Sequence, residues 1–471
     1  MDCSTFEDTI VAPATVPGTG AVTMIRVSGR DALGIVGKVV SCPGGQVESA
    51  PANTIRYGLV RSEDGQVLDE VMVSVFRAPH SYTGEDSAEI TCHASSYVAS
   101  ELMRLLCKAG ARMASPGEFT RRAFVNGKMD LAQAEAVADV ISSSGAASLR
   151  VAMNQLRGGY SSELKALRSK LMEMASLLEL ELDFSEEDVQ FADREKLTGL
   201  LNESRSRLLS LTDSFRYGNA LKEGVPVVIA GAANSGKSTL LNALLGEDRA
   251  IVSDIAGTTR DTVEETMTVE GVKFRFIDTA GLRPTDDAIE SIGIERSYKK
   301  ITQAAVVLAI LDLTAGEEEN GALISDIVSR IKPSEQKLIV LLNKVDILAP
   351  NINVSILNNS VSSADEKVVK IYISAKTGFG LDLLKNELAK TQKDKTFDSD
   401  QAVVTNLRHY QALSEAAGYL EKVSLGITSG TPTELLAEDL RQALNQLGTI
   451  TGEVTSDDIL GEIFSRFCIG K

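Results

Sequence analysis

The chain has 471 residues, with 48 Lys and Arg against 65 Asp and Glu and a net charge of −17 at pH 7. At roughly 150 residues per domain the length argues against one compact core and for about three domains. The acidic balance excludes a surface coated in basic charge for non-specific nucleic-acid binding, so any RNA contact needs a local patch. No apolar run approaches the roughly 18 residues of a spanning helix, so no membrane association is expected. The stretch Met1 to Asp8 carries no basic residue and no apolar segment, which points to a cytoplasmic location. Five cysteines without CxxC spacing fit reduced thiols better than a disulfide framework or a zinc site.

From Ala21 to about Cys107 the texture is mixed. Strand-like Ala21 to Val27 and Ile55 to Val60, alternation at Val71, Val73 and Val75, and a helical stretch from Ala99 to Lys108 predict a small α+β unit. Ser115-Pro116-Gly117-Glu118-Phe119 is a turn-and-cap signal introducing helices. Leu164, Leu167, Leu171, Met174 and Leu178 then recur at helical spacing, as do Tyr410, Leu413, Ala417 and Leu420, and Leu436, Leu440, Leu444 and Leu447. Two striped helical blocks flanking an alternating strand–helix segment are expected to pack together as one bundle, with the middle segment inserted. The domains expected are 1–118, 119–221 (first helical part), 222–395 (inserted α/β unit) and 396–471 (second helical part). Lys390 to Asp400, polar and without periodicity, reads as the exit linker.

The inserted segment carries the chemistry. The apolar run Val225 to Ala230 leads into Gly231-Ala232-Ala233-Asn234-Ser235-Gly236-Lys237-Ser238, with a helical pattern from Thr239 onward. In GxxxxGK[ST], glycines let backbone N–H groups wrap phosphates, Lys237 supplies charge near the β/γ oxygens, and Ser238 can ligate Mg²⁺. Asp278-Thr279-Ala280-Gly281 follows a strand, placing a carboxylate near Mg²⁺ and a glycine N–H near the γ-phosphate. Asn343-Lys344-Val345-Asp346 follows another strand; Asp346 can accept two hydrogen bonds from guanine's N1–H and amine, which adenine cannot supply. Ser374-Ala375-Lys376 can support the base. Four motifs in this order resemble those of a translation-factor-class GTPase, with guanine as the base.

Leu282 stands where Ras-like proteins have the Gln that orients the attacking water, so another group must orient it. Ser253-Asp254-Ile255-Ala256-Gly257-Thr258-Thr259 occupies the switch I region. Thr259 suits the second Mg²⁺ ligand, and Asn234 with Ser253, Ile255 and Thr258 suits a monovalent cation, K⁺, that offsets transition-state charge.

Thr83-Gly84-Glu85-Asp86, the run from Pro116-Gly117-Glu118-Phe119 to Asp130-Leu131, and the terminal Phe467-Cys468-Ile469-Gly470-Lys471 together resemble the MnmE (TrmE) family of tRNA-modifying GTPases, from about Thr9 to Lys471. The resemblance implies an α+β N-terminal folate-binding and dimerisation domain, a split α-helical bundle and an inserted α/β P-loop GTPase domain. It implies a homodimer joined through the N-terminal domains, acting with the flavoprotein MnmG (GidA), in a heterotetramer, on the wobble uridine of certain tRNAs. It further implies that Arg26, Glu89, Lys128 and Lys471 contact 5-formyl- or 5,10-methylene-tetrahydrofolate. Glu290 would be catalytic, aligning water, and Cys468 is either a modification thiol or a buried apolar residue. The P-loop departs from the family's frequent Arg-Pro with Ala232-Ala233. Cys92-His93-Ala94-Ser95 replaces a usual His-Gly-Gly, which puts the local turn in question. The competing readings are a ribosome-assembly GTPase, which would need an RNA-binding module after the GTPase segment, and a folate enzyme of the aminomethyltransferase sort, which would explain only the N-terminal third.

Overall fold

A computed structural model describes residues 7–16, 18, 20–143, 145–183, 194–232, 234–246, 265–277, 301–302, 304–332, 336–348, 368–393, 402–465, 467 and 470. The chain divides into two compact units: Met1–Ile141 with Gln155–Ser206 and Glu415–Lys471, and Ser142–Asn154 with Arg207–Ser414. Among the described residues no helix is long and apolar enough to cross a membrane.

The first unit opens with seven strands: β1 Ile10–Pro13, β2 Val22–Ser28, β3 Val40–Ser41, β4 Thr54–Arg61, β5 Val67–Phe76, β6 Ser87–His93 and β7 Arg112–Met113. They form one sheet in the order β3-β4-β5-β6-β2-β1-β7, antiparallel except for the β1–β7 pair. Helices α1 (Ala32–Val39) and α2 (Ser96–Lys108) supply Leu33, Val36, Leu102 and Leu106 to a core that also takes Ile25, Val27, Val71, Val73, Val75, Ala88 and Ile90 from the sheet. Alternation places every second strand residue in that core, and about 0.8 kcal/mol per buried methylene makes such a layer the main source of its stability. The Cys92-His93-Ala94-Ser95 turn forms without a left-handed residue. Ser95 instead caps α2, accepting from the Val98 N–H.

Four helices follow: α3 Glu118–Val125, α4 Leu131–Ser142, α5 Ala146–Leu156 and α6 Gly159–Asp183. Gly117 starts α3 at φ 67°, and a Cβ there would lie 2.6 Å from the Phe464 carbonyl oxygen, so only glycine suits the position. The long helix α7 (Arg194–Glu223) runs from the first unit into the second. In the second unit, β8 Val225–Gly231, β9 Glu265–Val269, β10 Val272–Phe276, β11 Val306–Asp312, β12 Lys337–Asn343 and β13 Val368–Tyr372 make a sheet in the order β13-β12-β11-β8-β10-β9. It is parallel apart from the β9–β10 pair. Its helices are α8 Lys237–Gly246, α9 Glu317–Arg330, α10 Val345–Leu348 and α11 Leu381–Lys393. Strand residues alternate between two cores. Val227, Ile229, Leu308, Ile310, Ile339 and Leu341 meet α8 and α11, while Val307, Ala309, Leu338 and Val340 meet α9. Helices on both faces explain why these strands read as continuous apolar runs.

The chain closes with α12 Leu407–Ser429, α13 Thr433–Thr451 and α14 Asp457–Ser465. The two helical blocks pack as expected. In the first unit α6 lies along α13, and Arg441 of α13 pairs with Glu179 of α6 at 3.2 Å. In the second unit the end of α7 meets the start of α12 and the segment before it: Phe215 stacks on Tyr410 of α12 at 4.6 Å, and Ser214 Oγ accepts from the Val404 N–H at 3.0 Å. One expectation is corrected: Lys390 is not linker, because α11 continues to Lys393. Buried Leu388 and Ala389 anchor that last turn, and Lys390 pairs with Glu387 on its wet side, so a polar turn rides on an apolar face. Among the described residues 402–465 the regular elements are helices alone, without the strands of a KH-type RNA-binding module.

Candidate functional site

The described nucleotide motifs gather at the carboxyl ends of β8, β12 and β13, where open α/β sheets bind their ligands. The turn after β8 feeds α8, with Lys237 as its first residue and Ser238 and Thr239 exposed on its first turn. Asn234 is left-handed at φ 59° and exposed; Gly236 is at φ 105°, and a Cβ there would strike the Asn343 amide. These two positive φ values turn the backbone into a concave loop. The Lys237 ammonium donates to the Gly231 and Ala232 carbonyls at 2.8 and 2.7 Å, closing the loop on itself. Burial lowers its pKa from the ordinary lysine value. An incoming phosphate therefore competes with two carbonyls and meets a partly desolvated charge, where attraction is stronger than in water.

Asn343 ties the phosphate loop to the base loops. Its Nδ2 donates to the Ser235 carbonyl at 2.8 Å, and its Oδ1 accepts from the Ala375 N–H at 3.0 Å. All three residues are buried. Ser374 Oγ donates to Asp346 Oδ1 at 2.7 Å and accepts from the Thr377 N–H at 3.3 Å, which orients the exposed Asp346 carboxylate. Lys344 is left-handed at φ 71° and ion-paired with Asp312, the last residue of β11. Lys376 is exposed.

In the N-terminal sheet, register sets Arg26 on β2 directly opposite Glu89 on β6. Both are expected folate contacts, and here they pair with each other, Arg26 Nε to Glu89 Oε1 at 3.0 Å. The Arg26 guanidinium also lies 5.1 Å from the Tyr82 ring centroid and 5.7 Å from that of Phe119. Its Nη1 donates to the Gly470 carbonyl at 3.5 Å, so the C-terminal segment returns to this sheet. Lys128 donates to the Pro79 carbonyl at 2.9 Å.

A family model described as the MnmE helical domain matches residues 131–468, and one described as the GTP-binding protein TrmE N-terminus matches residues 9–128. Among relatives, the tRNA modification GTPase MnmE of Flavobacterium johnsoniae is 47% identical over 99% of this chain and 99% of its own. That of Porphyromonas gingivalis is 48% identical over 99% and 98%, and that of Bacteroides thetaiotaomicron 48% over 99% and 100%. The chain belongs to the MnmE family.

Within this MnmE fold, several expected site residues lie outside the described residues: Ser253 to Thr259, Asp278 to Gly281, Glu290, Cys468 and Lys471. Three groups went unrecognised in the sequence. Asn343 was expected only as part of a base motif, whereas it bridges two loops. Asp312 gave no signal beyond ending an apolar run. The third is Arg122 in the Pro-Gly-Glu-Phe signature, which is wholly buried and binds Asp8 Oδ1 at 2.6 Å, Glu85 at 3.1 Å and Glu118 at 3.0 Å. Burial alone would raise the Glu118 carboxyl, but Arg112, the Ser115 N–H and Arg122 hold it below the ordinary glutamate range. The i,i+4 spacing of Glu118 and Arg122 was the available clue.

Proposed function

We propose that the chain is a GTP-hydrolysing tRNA-modification protein of the cytoplasm. It works as a homodimer, through its N-terminal domains, with a flavoprotein partner of the MnmG type, and adds a carboxymethylaminomethyl-type group at C5 of uridine 34 using a one-carbon tetrahydrofolate. The observation that carries this reading is the convergence of phosphate loop and guanine motifs on Asn343 in a chain that matches the family over nearly its whole length. The domain limits proposed are 1–118, 119–221, 222–395 and 396–471.

Lys237 and the backbone N–H groups of Asn234 to Thr239 bind the phosphates, and Asp346, steadied by Ser374, selects guanine. The exposed Ser238 hydroxyl at the start of α8 supplies a hard oxygen, and with Thr259 it would hold Mg²⁺. The exposed side chain of left-handed Asn234 faces no partner among the described residues, which fits a K⁺ ligand shared with Ser253, Ile255 and Thr258. When bound, these cations neutralise charge on the transferring phosphoryl group. Glu290 replaces the missing Gln and orients the attacking water. Arg26, Glu89, Lys128 and Lys471 hold the folate; the Arg26–Glu89 pair must open or share its hydrogen bonds to do so. Nucleoside analysis of tRNA from a strain lacking the protein tests the reading, with loss of the C5 modification at position 34 expected. Unchanged wobble uridines would overturn it.

A further inference from the structure

Asp312, the partner of Lys344 in the base motif, belongs to none of the nucleotide motifs. Parallel register places Asp312, the last residue of β11, directly beside Asn343, the last residue of β12. Its carboxylate is fixed by its own loop: Oδ1 accepts from the Thr314 N–H at 2.8 Å and from Thr314 Oγ1 at 2.6 Å. Its carbonyl accepts from Asn320 Nδ2 at 2.9 Å, which anchors the same turn to α9. The remaining oxygen, Oδ2, takes the Lys344 ammonium. Lys344 leaves β12 in a left-handed conformation that L-residues seldom adopt, and its four-carbon stem then crosses to the end of β11. Both side chains are mostly shielded, at 28% and 18% exposure, so the pair is screened less than a surface ion pair.

We propose that Asp312 is a positioning residue for guanine selection. By holding the Lys344 ammonium at the end of β11 it fixes the side chain of this base-motif residue in one conformation, and so raises affinity for guanine nucleotides; the proposal rests on the guanine reading above. Burial alone would raise the Asp312 carboxyl, but hydrogen bonds from Lys344 and Thr314 keep it below the ordinary aspartate range, so the charge is present at neutral pH. A flexible lysine stem otherwise spreads over many rotamers, and a ligand that needs one of them loses affinity in proportion to its scarcity.

Asp312→Asn tests this in the full-length protein, because asparagine keeps the Oδ1 acceptor for Thr314 and loses only the charge and the Oδ2 acceptor. The probe is the fluorescent N-methylanthraniloyl derivative of GDP. Asp312→Asn is expected to weaken binding about tenfold, with kcat at saturating GTP within about twofold of the parent. In a Lys344→Met background the same change is expected to cost nothing further, because the partner is already gone. Unchanged affinity in Asp312→Asn, or an undiminished loss in the Lys344→Met background, would overturn the proposal. Failure of the guanine reading looks different: the parent protein itself would bind the corresponding ADP derivative as tightly as the GDP one.

Discussion

Replacing Asn343 by alanine removes one side chain that serves two loops at once. The Ser235 carbonyl loses the donor it meets at 2.8 Å, and the Ala375 N–H loses the acceptor it meets at 3.0 Å. Both belong to residues almost wholly shielded from water, Ser235 at 1% and Ala375 at 4% exposure. A buried polar group left unpaired costs about 1–3 kcal/mol. Water entering the space left by the amide restores part of that, so the sum over both groups is about 2–4 kcal/mol. The cost falls on the arrangement that binds nucleotide, and it appears as a lower population of that arrangement. Affinity for GDP should therefore fall by about 30- to 1000-fold. Stopped-flow association and dissociation of a fluorescent GDP derivative, at fixed Mg²⁺, measure it. Asn343→Asp keeps the acceptor for Ala375 but sets a carboxylate against the Ser235 carbonyl, so it should bind no better than Asn343→Ala. Affinity within about threefold of the parent in Asn343→Ala would refute the bridging role.

Hydrolysis should run several-fold faster in KCl than in NaCl at matched ionic strength, since a larger ion suits several carbonyl and phosphate oxygens; equal rates would count against Asn234 as a cation ligand. Glu290→Ala should lower kcat while leaving GTP affinity nearly unchanged, and a loss of affinity at constant kcat would assign it to holding the switch. Deleting Ile469 to Lys471 removes the Gly470 carbonyl that Arg26 meets, and should weaken folate binding measured by calorimetry without changing GTP affinity. Arg122→Met should destabilise the protein by about 3–5 kcal/mol in thermal or urea unfolding, because buried Glu118 and partly buried Glu85 lose a shared cation. A depressed carboxyl stabilises the fold above its unfolded pKa and loses that contribution as pH falls through the folded one. The parent should therefore lose stability below pH about 4.5, with a shallower fall in Arg122→Met; parallel curves would show that Arg122 does not set the Glu118 shift.

Much of the architecture was legible because its signals are local. Val225 to Ala230 and Leu338 to Leu342 are short apolar runs bounded by loop signals, and such runs form buried strands wherever helices cover both faces of a sheet. Leu164, Leu167, Leu171, Met174 and Leu178 announced one buried helix face, and all five are at most 4% exposed. The order of the nucleotide motifs likewise followed from residue type and spacing, because phosphate and base recognition need particular atoms at the ends of particular strands. Cross-chain partnerships were not legible. Arg26 and Glu89 meet because β2 and β6 are neighbours in a specific antiparallel register, although many residues separate them along the chain. Asp312 reaches Lys344 only because β11 and β12 lie in parallel register, and Arg122 of α3 finds its partners only because Asp8, just before β1, and Glu85 converge on it. The end of α11 shows the same division on a smaller scale: polarity from Lys390 suggested a linker, while the packing of Leu388 and Ala389 kept the helix going. Periodicity records which face of an element is apolar. Which two charged side chains share a proton or an ion pair depends on strand order and register, and the folded sheet supplies both.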